Sequence, residues 1–106
     1  STLDLVGVDF SGKDVSGANF LGASLKSSKW RGATVRDVTF SAADLTYASF
    51  EGAQFGGSVD FSDACLEGAR LPENAFEVAE VEVEGADLTR SKIGREDLDP
   101  AAKMAM

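Results

Sequence analysis

Residues 16–35 read SGANFLGASLKSSKWRGATV, which divides into SGANF, LGASL, KSSKW and RGATV. Each group of five ends in a large apolar residue, and its third place is small. A helix repeats every 3.6 residues and a strand every two, so neither explains a period of five. Five helical residues advance about 500°, which winds an apolar stripe around the cylinder and buries no single face. In a plain strand an odd period puts successive large residues on opposite sides. A chain that turns a corner every five residues satisfies the pattern, and four corners close a square coil of twenty.

Working outward, the large residues at the fifth place run Leu5, Phe10, Val15, Phe20, Leu25, Trp30, Val35, Phe40, Leu45, Phe50 and Phe55 without a slip. We call these places centres. One extra residue in GGSVDF moves the next centre to Phe61, followed by Leu66, Leu71, Phe76 and Val81. Two extra residues in EVEGADL, placed at Val81 to Gly85, bring in Leu88, Ile93 and Leu98. Two places before the centre the residue is usually alanine, as at Ala18, Ala23, Ala33, Ala43, Ala48, Ala53, Ala64, Ala69, Ala79 and Ala86, or serine at Ser28. Residues two apart on an extended chain face the same side, so small and large both point inward. Glycine commonly precedes the small residue, as at Gly17, Gly22 and Gly32, where a recurrent turn would need positive φ. Lys13, Asn74 and Glu96 break the small-residue rule and are read as end effects or local irregularities.

The units GADLT at 85–89, AADLT at 42–46, GANFL at 17–21 and GARLP at 68–72 carry the motif A-(D/N)-L-x-x. In this the chain resembles the pentapeptide-repeat family over nearly its whole length. The resemblance implies an all-β fold, a right-handed quadrilateral parallel β-helix of nearly five coils. Its expected ladders are Leu5, Leu25, Leu45, Leu66, Leu88; Phe10, Trp30, Phe50, Leu71, Ile93; Val15, Val35, Phe55, Phe76, Leu98; and Phe20, Phe40, Phe61, Val81. The expected organisation is a repeat unit over 1–98 and a tail over 99–106. In that tail DPAAKMAM has the composition of a short helical cap.

The chemistry of the chain is sparse. Its 106 residues contain no histidine and one cysteine, Cys65. That excludes Ser-His and Cys-His dyads, an intrachain disulfide and a multi-cysteine metal site. There is no phosphate-loop or dinucleotide fingerprint, because the glycines follow the period of five. The expectation is a protein with no catalytic residues, no cofactor and no metal, since outward carboxylates such as Glu73, Glu77, Glu80, Glu82, Glu84 and Asp87 diverge on flat faces. No apolar run approaches the roughly 18 residues of a membrane-spanning helix.

Net charge is −8. Residues 1–50 hold five acids and five bases, whereas residues 51–106 hold thirteen acids and five bases, so the second half carries all of it. Such a surface disfavours nucleic acid and anionic membrane as partners. The expected function is a non-enzymatic scaffold or interaction module for a larger protein complex. Lys29, Arg31, Arg70 and Lys92 flank one ladder and form a candidate basic docking side. Leu3, Leu5 and Val8, at the start of the first coil, form a second candidate contact. The family resemblance implies a thylakoid-lumen location in a chloroplast or cyanobacterium, with the bacterial cytoplasm as the alternative. It also offers a second function, because some members mimic DNA and protect DNA gyrase from quinolones.

Overall fold

The backbone hydrogen bonds follow the period of five. At each corner the small residue's N–H donates to the carbonyl of the preceding centre, for example Ala33 to Trp30 at 2.9 Å and Ala48 to Leu45 at 2.9 Å. The residue just before the small one has positive φ: 72° at Gly32 and 68° at Gly22. This is the geometry of a type II turn, which favours glycine at its third place. In this computed structural model, which describes residues 3–101, every corner glycine preceding a small-residue site in the first half has that conformation.

Between corners the chain lies parallel to itself at intervals of about twenty residues. Bridges run Asp4–Ser24–Asp44–Cys65–Asp87 and Asp9–Lys29–Ser49–Arg70, with further bridges Asp14–Thr34 and Asn19–Thr39. Where the pairing lengthens it becomes strand: β1 (Thr34–Thr39), β2 (Gln54–Asp60), β3 (Arg70–Leu71), β4 (Glu80–Glu82), β5 (Lys92–Ile93) and β6 (Glu96–Asp97). One sheet is ordered β1-β2-β4 and the other β3-β5-β6. A four-residue helix, α1 (Ala75–Val78), interrupts them.

The centres form the core. Leu25, Leu45 and Leu66 stack in one column, Trp30, Phe50 and Leu71 in the next, and all are fully or almost fully buried. Aromatic rings continue the stacking: Phe10 on Trp30 at 4.5 Å, Trp30 on Phe50 at 5.0 Å, Phe20 on Phe40 at 5.4 Å and Phe40 on Phe61 at 5.2 Å. Rings of adjacent columns meet edge to face, as Trp30 meets Phe40 at 90°. The serine at the small site below Trp30 has a reason: Ser28 Oγ accepts the buried indole N–H at 2.8 Å.

The first extra residue forms a bulge where expected. Register passes from Arg36–Gly56 to Val38–Val59, leaving Asp37 opposite the added residue, and Asp37 accepts the Ser58 N–H at 3.0 Å. The second insertion lies elsewhere. Val81 is not a centre: it pairs with Val59, which pairs with Val38, in the column two places before the centres. The residue below Phe61 is Val83, since Phe61 N–H donates to Glu82 O. The two extra residues therefore fall between Leu71 and Val83, where α1 takes them up. Phe76 is displaced from the third column with them. It is 43% exposed, and Ala75 points inward in its stead. Leu98 does not continue that column either. The chain doubles back at Gly94 (φ 57°), and β6 pairs antiparallel with β5. Lys13 is exposed on the open first pass, Asn74 precedes α1, and Glu96 lies in β6. The described residues end at Ala101, so most of the expected helical cap lies outside them.

Candidate protein-docking surface

The place just before each centre points outward, and its contents decide what each side offers. On the first-ladder side these residues are Asp4, Ser24, Asp44, Cys65 and Asp87. On the second-ladder side they are Asp9, Lys29, Ser49, Arg70 and Lys92. Aspartates here have a structural task. Asp9, Asp14, Asp44, Asp60 and Asp87 each accept the N–H two residues on, at 2.8–3.1 Å, which satisfies the corner backbone. The Ser11, Ser16 and Thr89 hydroxyls, followed by their N–H groups, hold the Asp9, Asp14 and Asp87 carboxyls below the ordinary aspartate range.

The second-ladder side gathers the expected bases. Lys29, Arg70 and Lys92 share one outward column. Arg31, one place past Trp30, lies over Gly52. Lys92 pairs with Asp97 on the returning strand. Among the described residues no ion pair holds Lys29, Arg31 or Arg70. Arg31 and Arg70 line one groove of about 1150 Å³, joined by Arg95 from the β5–β6 turn. Buried Leu71 and Pro72 and half-buried Ile93 lie beneath it, and Glu51, Glu73, Glu77 and Glu96 also line it, so its charges are of both signs. Arg95 and the α1 wall were not legible in the sequence, because both depend on the hairpin and the insertion.

The other expected contact stands apart, at the first pass. Leu3 is 55% exposed, while Leu5 and Val8 are half-buried against the core. Val6 beside them is 54% exposed.

Among the described residues one trio of metal-ligating type converges: the Cys65, Glu67 and Asp87 ligand atoms lie within 4.8 Å of one another. Each is already engaged. Cys65 Sγ sits 3.3 Å from Thr46 Oγ1, Glu67 pairs with Arg90, and Asp87 accepts from both Thr89 groups. Asp60 and Glu82 are paired across β2 and β4, and Asp63 N–H donates to Glu84 O, so these four acids gather on a side separate from the basic column. No helix among the described residues is long and apolar enough to cross a membrane.

A period of five, small-then-large inward pairs and parallel stacking every twenty residues define a β-helical repeat class. A family model described as pentapeptide repeats, nine copies, matches residues 16–65. The solved structures that resemble the chain are likewise pentapeptide-repeat proteins. HetL of the cyanobacterium Nostoc, involved in heterocyst differentiation regulation, is 28% identical with a TM-score of 0.58 over 84% of this chain and 38% of its own. QnrB1, a plasmid-mediated fluoroquinolone resistance protein, is 18% identical with a TM-score of 0.60 over 90% of this chain and 53% of its own. A protein of the Arabidopsis thaliana thylakoid lumen is 24% identical with a TM-score of 0.48, over 97% of this chain and 73% of its own. The chain thus spans less than two thirds of either HetL or QnrB1. Among curated proteins none matches the sequence significantly.

Proposed function

We propose that this chain is a right-handed, four-sided parallel β-helix of nearly five coils that serves as a non-enzymatic docking element for another protein. The repeat unit is assigned to residues 1–98 and the tail to residues 99–106. One observation carries the functional reading. In a chain of net charge −8, Lys29, Arg31 and Arg70 gather on one side with no ion pair among the described residues. Exposed arginines without an ion pair suit bidentate recognition of carboxylates on an acidic protein surface. The rigid ladder supplies the spacing, because each pass is fixed to the next by backbone hydrogen bonds. The apolar first-pass residues Leu3, Leu5 and Val8 are a second contact within the same proposal. The chemistry is supported as non-enzymatic by the family, whose members are generally structural or interaction proteins. On the family resemblance alone, the thylakoid lumen is the compartment we propose, and fractionation of the source cell tests it.

Affinity capture from the source cell with a lysine-reactive cross-linker tests the docking side. Cross-links to the partner should concentrate at Lys29 and Lys92. Cross-links confined to Lys13 and Lys26 would overturn the assignment.

A second reading, a DNA mimic acting on gyrase, has the net charge and the fold shared with QnrB1 in its favour. The gathered bases work against it, since a duplex mimic needs acids along its length. A gyrase supercoiling assay decides: quinolone protection by the purified chain at sub-stoichiometric levels would replace the first reading with this one.

A further inference from the structure

The second-ladder side offers side chains and no free backbone. The Lys29, Ser49 and Arg70 N–H groups donate to the Val8, Ser28 and Ala48 carbonyls at 2.9–3.0 Å. Their own carbonyls accept from Phe10, Trp30 and Phe50 at 2.8–3.0 Å. An extended segment laid here would find no main-chain partner, so docking by strand addition is closed to this side. A helix satisfies its own backbone and needs side-chain contacts alone. The spacing suits a helix as well. Lys29 and Arg70 are exposed and stand in one outward column with Ser49 between them. Two ladder steps separate them by about 9.6 Å. Two turns of helix rise about 10.5 Å. Same-face residues of a strand fall instead about 6.8 or 13.6 Å apart. Ser49 is half-buried and short, which leaves a shallow slot between the two cations.

Tyr47 stands beside this slot, two residues before Ser49. It is 54% exposed, and its φ of 59° is one that a bulky residue rarely adopts. Its ring lies over Gly68, where a Cβ would be 2.5 Å away, and Gly68 is itself two residues before Arg70. A ring fixed in this way loses little freedom on binding. Tyrosine and arginine are also among the residues that concentrate binding energy in protein interfaces. The nearby Glu67 is paired with Arg90, so its charge does not compete for the two cations.

We propose that this side receives an acidic amphipathic helix of the partner protein, lying along the stack. Carboxylates two turns apart on that helix meet Lys29 and Arg70, and the apolar residue of the turn between them rests on Tyr47. The inference rests on the reading of the basic side as a docking surface and names the element that docks. The four-residue α1 is too short to supply two turns, so α1 of a second copy does not meet the requirement.

Fluorescence anisotropy of labelled synthetic peptides against the full chain tests it. The probe is a helix of alanine and glutamine carrying Glu at i and i+7 with Leu at i+3 and i+4, all on one face. The control has the same composition with the second Glu at i+5, on a different face. The probe should bind with a Kd of about 100 μM or tighter at about 0.1 M salt, and the control at least about fivefold more weakly. Tyr47→Ala and Arg70→Glu should each weaken probe binding at least about fivefold with an unchanged circular dichroism spectrum, because both side chains are exposed. Equal binding of probe and control, probe binding indifferent to Tyr47→Ala, or no probe binding by about 1 mM would each overturn the proposal. Those results would leave the docking reading standing. That reading fails by the separate result that cross-linked capture yields no partner at Lys29 or Lys92.

Discussion

Removing the hydroxyl of Ser28 isolates one buried hydrogen bond from the rest of the core. Ser28 and Trp30 are both fully buried, and the indole N–H reaches Ser28 Oγ at 2.8 Å. Ser28→Ala leaves the site the same shape but strands the indole donor among rings, at a cost of about 1–3 kcal/mol. Trp30→Phe removes the donor but also loses ring area and part of the stacking with Phe10 and Phe50. Its cost should be about 2–3 kcal/mol, below the 3–5 kcal/mol or so of a truncation to Ala. In the Trp30→Phe background the serine hydroxyl has lost its indole partner, so Ser28→Ala should then cost close to nothing. The double-mutant cycle should return a coupling of about 1–2 kcal/mol. Urea unfolding followed by far-ultraviolet circular dichroism measures all four proteins, since the signal does not depend on the only tryptophan. A Ser28→Ala cost under about 0.3 kcal/mol, or equal costs in both backgrounds, would refute the reasoning.

Three further outcomes follow from the geometry. Phe76→Ser should cost under about 1 kcal/mol whereas Phe61→Ala should cost about 3–5 kcal/mol, because the first side chain is half in solvent and the second is wholly buried; urea melts compare them. Gly68→Ala should be worse than Gly22→Ala, although both have strongly positive φ, since a Cβ at 68 would lie 2.5 Å from the Tyr47 ring and one at 22 meets nothing within 4 Å; adding Tyr47→Ala should remove the difference in thermal melts. Asp9, Asp14 and Asp87 have folded-state values lowered by their hydroxyl and N–H donors, so their contribution is present above the unfolded value of about 3.9 and is lost as pH falls through the folded values; Asp14→Asn, which keeps the acceptor oxygen, should flatten the acid limb of melting temperature against pH.

The first fifty-five residues were legible because a large apolar centre recurs there every five residues without a slip. Trp30, Phe50 and Leu25 could be placed from spacing alone, and Lys29, Arg31, Arg70 and Lys92 could be assigned to one side by the same count. Past Leu71 the pattern became degenerate. In AFEVAEVEVEG, valines recur every second or third place, and Ala79–Val81 imitates a small-large pair as well as Val81–Val83 does. A signal was present: Val38 and Val59 already occupy the inner place before Phe40 and Phe61, so a third valine belonged beneath them. The helix and the returning hairpin were invisible for a different reason. Both are set by tertiary fit at the end of the stack, where local spacing no longer constrains the chain. The groove inherits that blindness, since Arg95 and Glu77 come from those two elements.

The central claim is that another protein chain docks on the basic side. Charge reversal tests it most directly. Lys29→Glu, Arg31→Glu and Arg70→Glu are combined in one variant, and Asp60→Lys, Glu82→Lys and Glu84→Lys in another, each with circular dichroism to confirm the fold. Complex recovery by cross-linked capture is then compared at equal protein concentration. The first variant should lose the complex at least about tenfold and the second should retain it, since steering and register come from the bases. Equal recovery by both variants, or loss confined to the second, would contradict the account.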